Sequence, residues 1–209
     1  ARVVHGARSS LLLGVMTTII ALMAGGILGA VAGYFGGRVD ETIMRLMDIL
    51  TSIPSLLLSL AIVSALGAGI RNLIIAITIS RVPAFVRIVR SAVLTIVDQE
   101  FIEAAKAGGT HETRIIGRHV IPNAVGPIIV QATMSISQLI LQAASLSFLG
   151  MGVQPPRPEW GAMLNEAREF MRVAPYLMFF PGMAIVLAAL SFNLVADGLR
   201  DALDPKLKT

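Results

Sequence analysis

An all-α, polytopic membrane bundle with a cytoplasmic helix-turn-helix coupling loop is the fold this sequence predicts, on three observations. Of its 209 residues 55% are hydrophobic and 14% charged, more apolar surface than a soluble domain of this length can cover. Charge-free runs extend from Ser9 to Gly37, Ile49 to Ile70, Val120 to Pro156 and Val173 to Ala196. Each supplies the roughly 20 residues that cross about 30 Å of hydrocarbon. Between the spans lies one charged, helix-prone island, 97–122, built to dock something outside the bilayer rather than to cross it.

The whole chain, 1–209, reads as one transmembrane domain of about five spans. The first, about 10–36, carries Gly25, Gly29, Gly33 and Gly37 at four-residue spacing, which lines one helical face with no side chain and lets another backbone approach. That backbone belongs either to this chain or to another subunit. The second span covers about 50–70. The third, about 72–93, is the weakest, because only Asn72 to Ser80 is charge-free and Arg81 interrupts it. Either the helix ends early and Arg81 reaches out to the interface, or Arg81 sits at depth, at a cost of about 3 kcal/mol on insertion scales, and marks a functional site. Pro54, Pro83, Pro127 and Pro181 sit in or near spans, where each removes a backbone donor and favours a kink.

The island divides into two short helices. Asp98 suits an N-cap and Glu100 the first turn, Lys106 lies near the end, and Gly108-Gly109 offers a left-handed stop. Thr110 can cap the second helix, with Glu112 in its first turn, and Pro122 is expected to terminate it near the bilayer surface. Phe101, Ile102 and Ala105 form an apolar ridge that so short a helix cannot bury alone. A groove on a partner would cover it.

In the fourth span, about 123–148, Gln131, Ser135, Gln138, Gln142 and Ser145 recur at a near-heptad interval and stack polar groups on one face. Such groups are costly in lipid, so that face meets protein or water, as a pathway lining or as a helix interface. The segment 149–172 is punctuated by prolines and charges and forms an external loop, with Trp160 and Tyr176 as interfacial anchors. The fifth span is about 173–196.

Orientation follows from basic residues. With the island cytoplasmic and Arg81 set aside, Arg38, Arg45, Arg87, Arg90, Lys106, Arg114, Arg118, Arg200, Lys206 and Lys208 fall inside, against Arg2, Arg8, Arg71, Arg157, Arg168 and Arg172 outside. Ten against six agrees with the positive-inside rule. The net charge of +4 reflects these loops, and without aromatic-basic clusters there is no nucleic-acid surface. The chain has no cysteine, hence no disulfide framework or thiolate chemistry. His5, His111 and His119 stand apart from metal-ligand neighbours, so no metal site is expected. The chain opens on Ala1, and its first apolar run is too long for a signal-peptide core; it reads as a piece of a longer polypeptide.

Glu103-Ala104-Ala105, Gly109 six residues after Glu103, and Ile121-Pro122 resemble the E-A-A loop of binding-protein-dependent ABC importer permeases. Arg118 to Asn123, Met44 to Ile49, Ser147 to Pro156 leading to Glu159-Trp160-Gly161, and Asp197 to Pro205 are similar to the dipeptide/oligopeptide branch. The general family pattern has an isoleucine where this chain has His119, and members usually begin with a further span that this sequence lacks.

The resemblance implies a multi-pass permease of the prokaryotic inner membrane. Its partners would be a second homologous permease, two cytoplasmic ATPases carrying the ATP and Mg, and an extracytoplasmic binding protein that delivers peptide. Glu103, Ala104, Ala105 and Gly109 would sit in a cleft of the ATPase, Glu103 making a charge-assisted contact there or capping the neighbouring helix.

The chain has no G-x-x-x-x-G-K-[ST], so ATP phosphates are expected on another polypeptide and this subunit is not expected to be an enzyme. Two rival readings remain. An ion-gradient transporter would want carboxylates at mid-depth, which none of the four charge-free runs contains. A non-transporting scaffold would use the glycine face and the island for assembly alone. The cargo, whether dipeptide, oligopeptide, nickel chelate or glutathione, is not written in the sequence.

Overall fold

In the computed structural model, which describes residues 1–203, all regular structure is helical. Asp204, Pro205, Lys206 and Lys208, which entered the motif and charge readings above, lie outside the described residues. Helix α1 spans Arg2–Phe35, starting well before the expected residue 10 because nothing in the stretch from Arg2 breaks it. Gly36 (φ 61°) and Gly37 (φ 50°) turn the chain sharply into α2, Gly37–Thr51, a left-handed pair that other residues rarely adopt.

Helix α4, Ile70–Val97, runs unbroken through Arg81 and Pro83. The expectation that Arg81 ends the helix is therefore corrected; it lies in the middle. Three of the four glycines of the first span pack against α4. A Cβ added at Gly25 would lie 2.6 Å from the Phe85 Cβ, one at Gly29 2.6 Å from the Val86 carbonyl oxygen, and one at Gly33 2.9 Å from Val93 Cγ1. Gly37 is corrected out of this stripe, since it lies beyond the end of α1 and a Cβ there would meet nothing within 4 Å. Residue numbers rise together along both helices, so α1 and α4 are parallel.

Parallel neighbours require the intervening chain to return across the bundle, and α2 with α3, Ser55–Leu66, makes that return through an 80° bend. Arg90 pairs with Asp40, and Arg87 donates to Asp48 and Thr51 at 2.8 and 2.9 Å. From Asp40 to Asp48 α2 advances about 12 Å, while its partners on α4 step back by only about 4.5 Å. Helix α2 therefore lies across the bundle at a polar boundary. Only the 12 residues of α3, about 18 Å of helix, rise through it. The second span is shorter than the expected 50–70 because Pro54, with no N–H to donate, stands at the bend. Asn72 Nδ2 closes the next turn by donating to the Leu66 and Gly67 carbonyls at 2.8 and 2.9 Å.

After α4 come α5, Glu100–Ala107, and α6, Glu112–Ile115, then a π-helical turn, Ile116–Val120, and α7, Ile121–Phe148. Pro122 does not terminate the second island helix, as expected, but sits in the first turn of α7. The wider π turn absorbs the proline, with the Ile121 N–H reaching back to the Ile116 carbonyl. Asn123 Nδ2 donates to the His119 carbonyl. From Glu112 to Phe148 the chain is one continuous rod of 37 residues.

The segment after α7 folds back onto the bundle through α8, Trp160–Ala167, before α9, Tyr176–Leu203. Trp160 is corrected from interfacial anchor to core residue: it is buried, its indole N–H donates to the Val3 carbonyl at 2.9 Å, and it packs with Ile140, Ala144 and Ile185. A Cβ at Gly161 would lie 2.4 Å from the Ala144 carbonyl oxygen, so only glycine lets α8 seat against α7. Glu159, also buried, caps α8 by accepting from the Gly161 and Ala162 N–H groups at 2.9 Å and takes a third bond from Ser10 Oγ at 3.1 Å. Tyr176 stays on the surface.

Candidate functional site

Two groups of the predicted residues form distinct sites, the island and the polar cluster of α7. In the island, the N-cap of α5 is Gln99 rather than Asp98, which ends α4. Gly109 (φ 72°) closes α5 as expected: the Thr110 N–H donates to the Ala105 carbonyl and the Gly109 N–H to the Lys106 carbonyl, at 3.1 and 3.0 Å, the paired bonds of a Schellman stop. His111, not Thr110, caps α6, its Nδ1 accepting from the Thr113 N–H. Glycine at 109 is required by its backbone, not by crowding, for a Cβ there would meet nothing within 4 Å.

The apolar ridge of the island is split between two tasks. Ile102 is fully buried among Val93, Ile96, Ile115, Val120 and Ala124, so the bundle itself covers it, correcting the expectation that a partner must. Phe101 remains 44% exposed, and Glu103, Ala104 and Gly109 are exposed beside it, with Ala105 half-buried. Ile102 is thus an anchor that fixes α5 to the rod, while Phe101, Glu103 and Ala104 form an uncovered face. The Lys106 ammonium lies 5.1 Å over the Tyr34 ring, a second tie from the island to the end of α1.

The stripe on α7 does not act as one surface. Gln131 lines a depression of about 420 Å³ with Pro127, Met134 and Arg200. Ser135 is buried and its hydroxyl donates to the Gln131 carbonyl of its own helix. Gln142 is buried and donates to Ser59 Oγ at 3.0 Å and Ser80 Oγ at 3.3 Å, while its amide oxygen accepts from Arg81 Nε at 2.9 Å. Gln138 is exposed and accepts from Arg81 Nη1 at 3.3 Å. Sequence reasoning missed Ser59 and Ser80, since a serine in an apolar run usually bonds its own helix. The available signal was Ser55 and Ser59 one turn apart in a span without charges.

A model of the family described as binding-protein-dependent transport system inner membrane component matches residues 25–209. The chain belongs to that family. The permease is 50% identical over 208 residues to the dipeptide transport system permease protein DppC of Alkalihalophilus pseudofirmus, covering 100% of this chain and 68% of that protein. It is 50% identical over 207 residues to the di/tripeptide transport system permease protein DppC of Pseudomonas aeruginosa, and 51% identical over 207 residues to the glutathione transport system permease protein GsiD of Escherichia coli. Each of these comparisons covers 99% of this chain and 68% of the relative.

Among solved structures it is similar in fold to a chain of the inward-facing MetNI methionine ABC transporter, with a TM-score of 0.77 at 19% identity, over 97% of this chain and 96% of that one. An amino acid ABC transporter solved with histidines gives 0.67 at 17%, over 99% and 94%. The permease is a multi-pass inner-membrane transport component, as its family and apolar helices require.

Proposed function

We propose that this chain forms the translocation path of an ATP-driven importer for peptides or peptide-like solutes together with a second, homologous permease. Two cytoplasmic ATPases holding ATP and Mg would drive it, an extracytoplasmic binding protein would deliver the solute, and this chain would carry no cofactor of its own. The relatives' names, dipeptide, di/tripeptide and glutathione permeases, support the solute class.

The observation that carries the coupling mechanism is the joint between the island and α7. Phe101, Glu103 and Ala104 leave a face uncovered, small at Ala104 and Ala105 for close approach, while Ile102 and Gly109 hold that face at a fixed angle to the rod that becomes α7. A displacement of a gripped α5 is passed through the Ile102 contact to Ile115 and Val120 and so to the membrane helix. Coupling of this kind needs two arrangements of the bundle, one of which the docked partner favours.

The test is Gly109→Asp and Glu103→Lys in the complete transporter reconstituted in liposomes. Both variants are expected to insert and assemble, and to lose uptake by 10-fold or more relative to ATP hydrolysed. Gly109→Asp acts by straining the turn at φ 72° and Glu103→Lys by reversing the charge of the exposed face. Full uptake by both would overturn the coupling role.

A further inference from the structure

Halfway along α4 the structure holds a guanidinium with no counter-ion. The ion pairs among the described residues are Arg2 with Glu166, Arg87 with Asp48 and Arg90 with Asp40; Arg81 has none. It is well inside the apolar layer, since Arg87 and Arg90, which meet α2 at the polar boundary, lie six and nine residues further along, about 9 and 14 Å of helix. A cation at this depth cannot face lipid without a cost of several kcal/mol. The surface that carries it therefore faces the water-filled path or another protein.

The surroundings hold Arg81 ready without neutralising it. Arginine can only donate, so Gln142 and Gln138 must turn their amide oxygens to it. Gln142 is locked in that pose because its Nε2 is taken by Ser59 and Ser80, themselves bonded to each other at 2.9 Å. These bonds use Nε and one N–H of Nη1, leaving three of the five guanidinium N–H groups, both on Nη2 among them, without an acceptor among the described residues. Arg81 borders an open depression of about 290 Å³ whose walls are Ser55, Leu56, Gln138, Leu141 and Ser145. The space suits the end of a small solute rather than the whole of a peptide.

We infer that Arg81 is an anion site in the path, which binds a carboxylate of the solute in transit through its free N–H groups. Neutral amides orient the fork but are weak competitors for it, so a carboxylate docks with two parallel bonds and leaves again, which a permanent ion pair would forbid. The inference rests on the importer reading above, and the alternative source of the same chemistry is an Asp or Glu of the second permease.

The experiment compares wild type, Arg81→Gln and Arg81→Lys in the complete transporter in proteoliposomes, measuring uptake of trialanine and of trialanine amide at concentrations that saturate the binding protein. The binding protein's own preference is common to all three, so a change in the acid-to-amide ratio reports the permease. Arg81→Gln is expected to assemble with the second permease and keep ATP hydrolysis stimulated by loaded binding protein. Its trialanine uptake should fall at least 10-fold and its acid-to-amide ratio by a similar factor, with Arg81→Lys in between. An unchanged ratio would overturn the site. Failure of Arg81→Gln to co-purify with the second permease would overturn it too, assigning the charge to a subunit contact. If wild type takes up neither peptide and loaded binding protein does not stimulate hydrolysis, the importer reading itself fails.

Discussion

Helix α4 makes two seams of opposite chemistry. Against α1 it is closed by absence: Gly25, Gly29 and Gly33 bring backbone to backbone, with Phe85, Val86, Val89 and Val93 filling the gap. Against α3 and α7 hydrogen bonds through Ser80, Ser59, Gln142 and Arg81 are added to an apolar contact of Leu73, Ala76 and Ile77 with Val63, Leu139, Ala143 and Leu146. In lipid the hydrophobic effect does not distinguish a helix from its surroundings, so association relies on close packing or on polar bonds. At these three glycines the first seam leaves no gap and is built to stay shut. The second leaves an unneutralised charge and an open depression, and can exchange its partners.

The contrast is sharpest at the glycines. Gly29→Leu should cost more than about 3 kcal/mol, because its Cβ would lie 2.6 Å from a backbone oxygen that cannot move aside. Gly26→Ala, where nothing lies within 4 Å, should be neutral or stabilising by up to about 1 kcal/mol. Thermal unfolding of the detergent-purified complex measures both, and a tolerated leucine at 29 would break the account of the first seam. Gln142→Leu keeps the volume of the second seam but strips the Nε acceptor from Arg81. A destabilisation of about 1–3 kcal/mol is expected in the same assay, and a variant as stable as wild type would show that seam to be held by shape alone.

The smallest effect lies at the edge of the bundle, where the hydrogen bonds and charge of Arg90 hold the Asp40 carboxyl below its usual range, against a smaller opposing effect of burial. Both partners are partly exposed, so Asp40→Asn should cost about 0.5–1 kcal/mol near neutrality. A depressed carboxyl contributes above its unfolded value, about 3.9, and the contribution is lost as pH falls through the lower folded value. The gap between wild type and variant should therefore be constant near pH 7 and shrink only below about pH 4; a gap that peaks in acid would assign the pair another role.

The first, fourth and fifth spans and the island were legible because hydrophobic run length and charge are local properties, whereas the charge-free run from Ile49 to Ile70 holds only the 12-residue α3 and the run broken by Arg81 is the 28-residue α4. The left-handed stop at Gly109 was legible for the same reason: backbone conformation is a matter of a few neighbouring residues. Where expectation and structure part, the deciding term is non-local. A proline alone breaks an α-helix, yet a π turn before Pro122 lets the helix continue. A lone aromatic such as Trp160 near a membrane favours the interface, yet Gly161 allows α8 to sink onto α7 and bury it.

By itself the chain determined an all-helical membrane protein, its exposed polar island and the glycine stripe of α1, since each is set by spacing along one helix. Only tertiary structure decided that the stripe meets α4 in parallel, that Ile102 is covered from within while Phe101 is not, and that Arg81 sits in the middle of α4 beside two amide oxygens. Those facts depend on which faces meet across tens of residues, and a charge in lipid can be placed only once its neighbours are known.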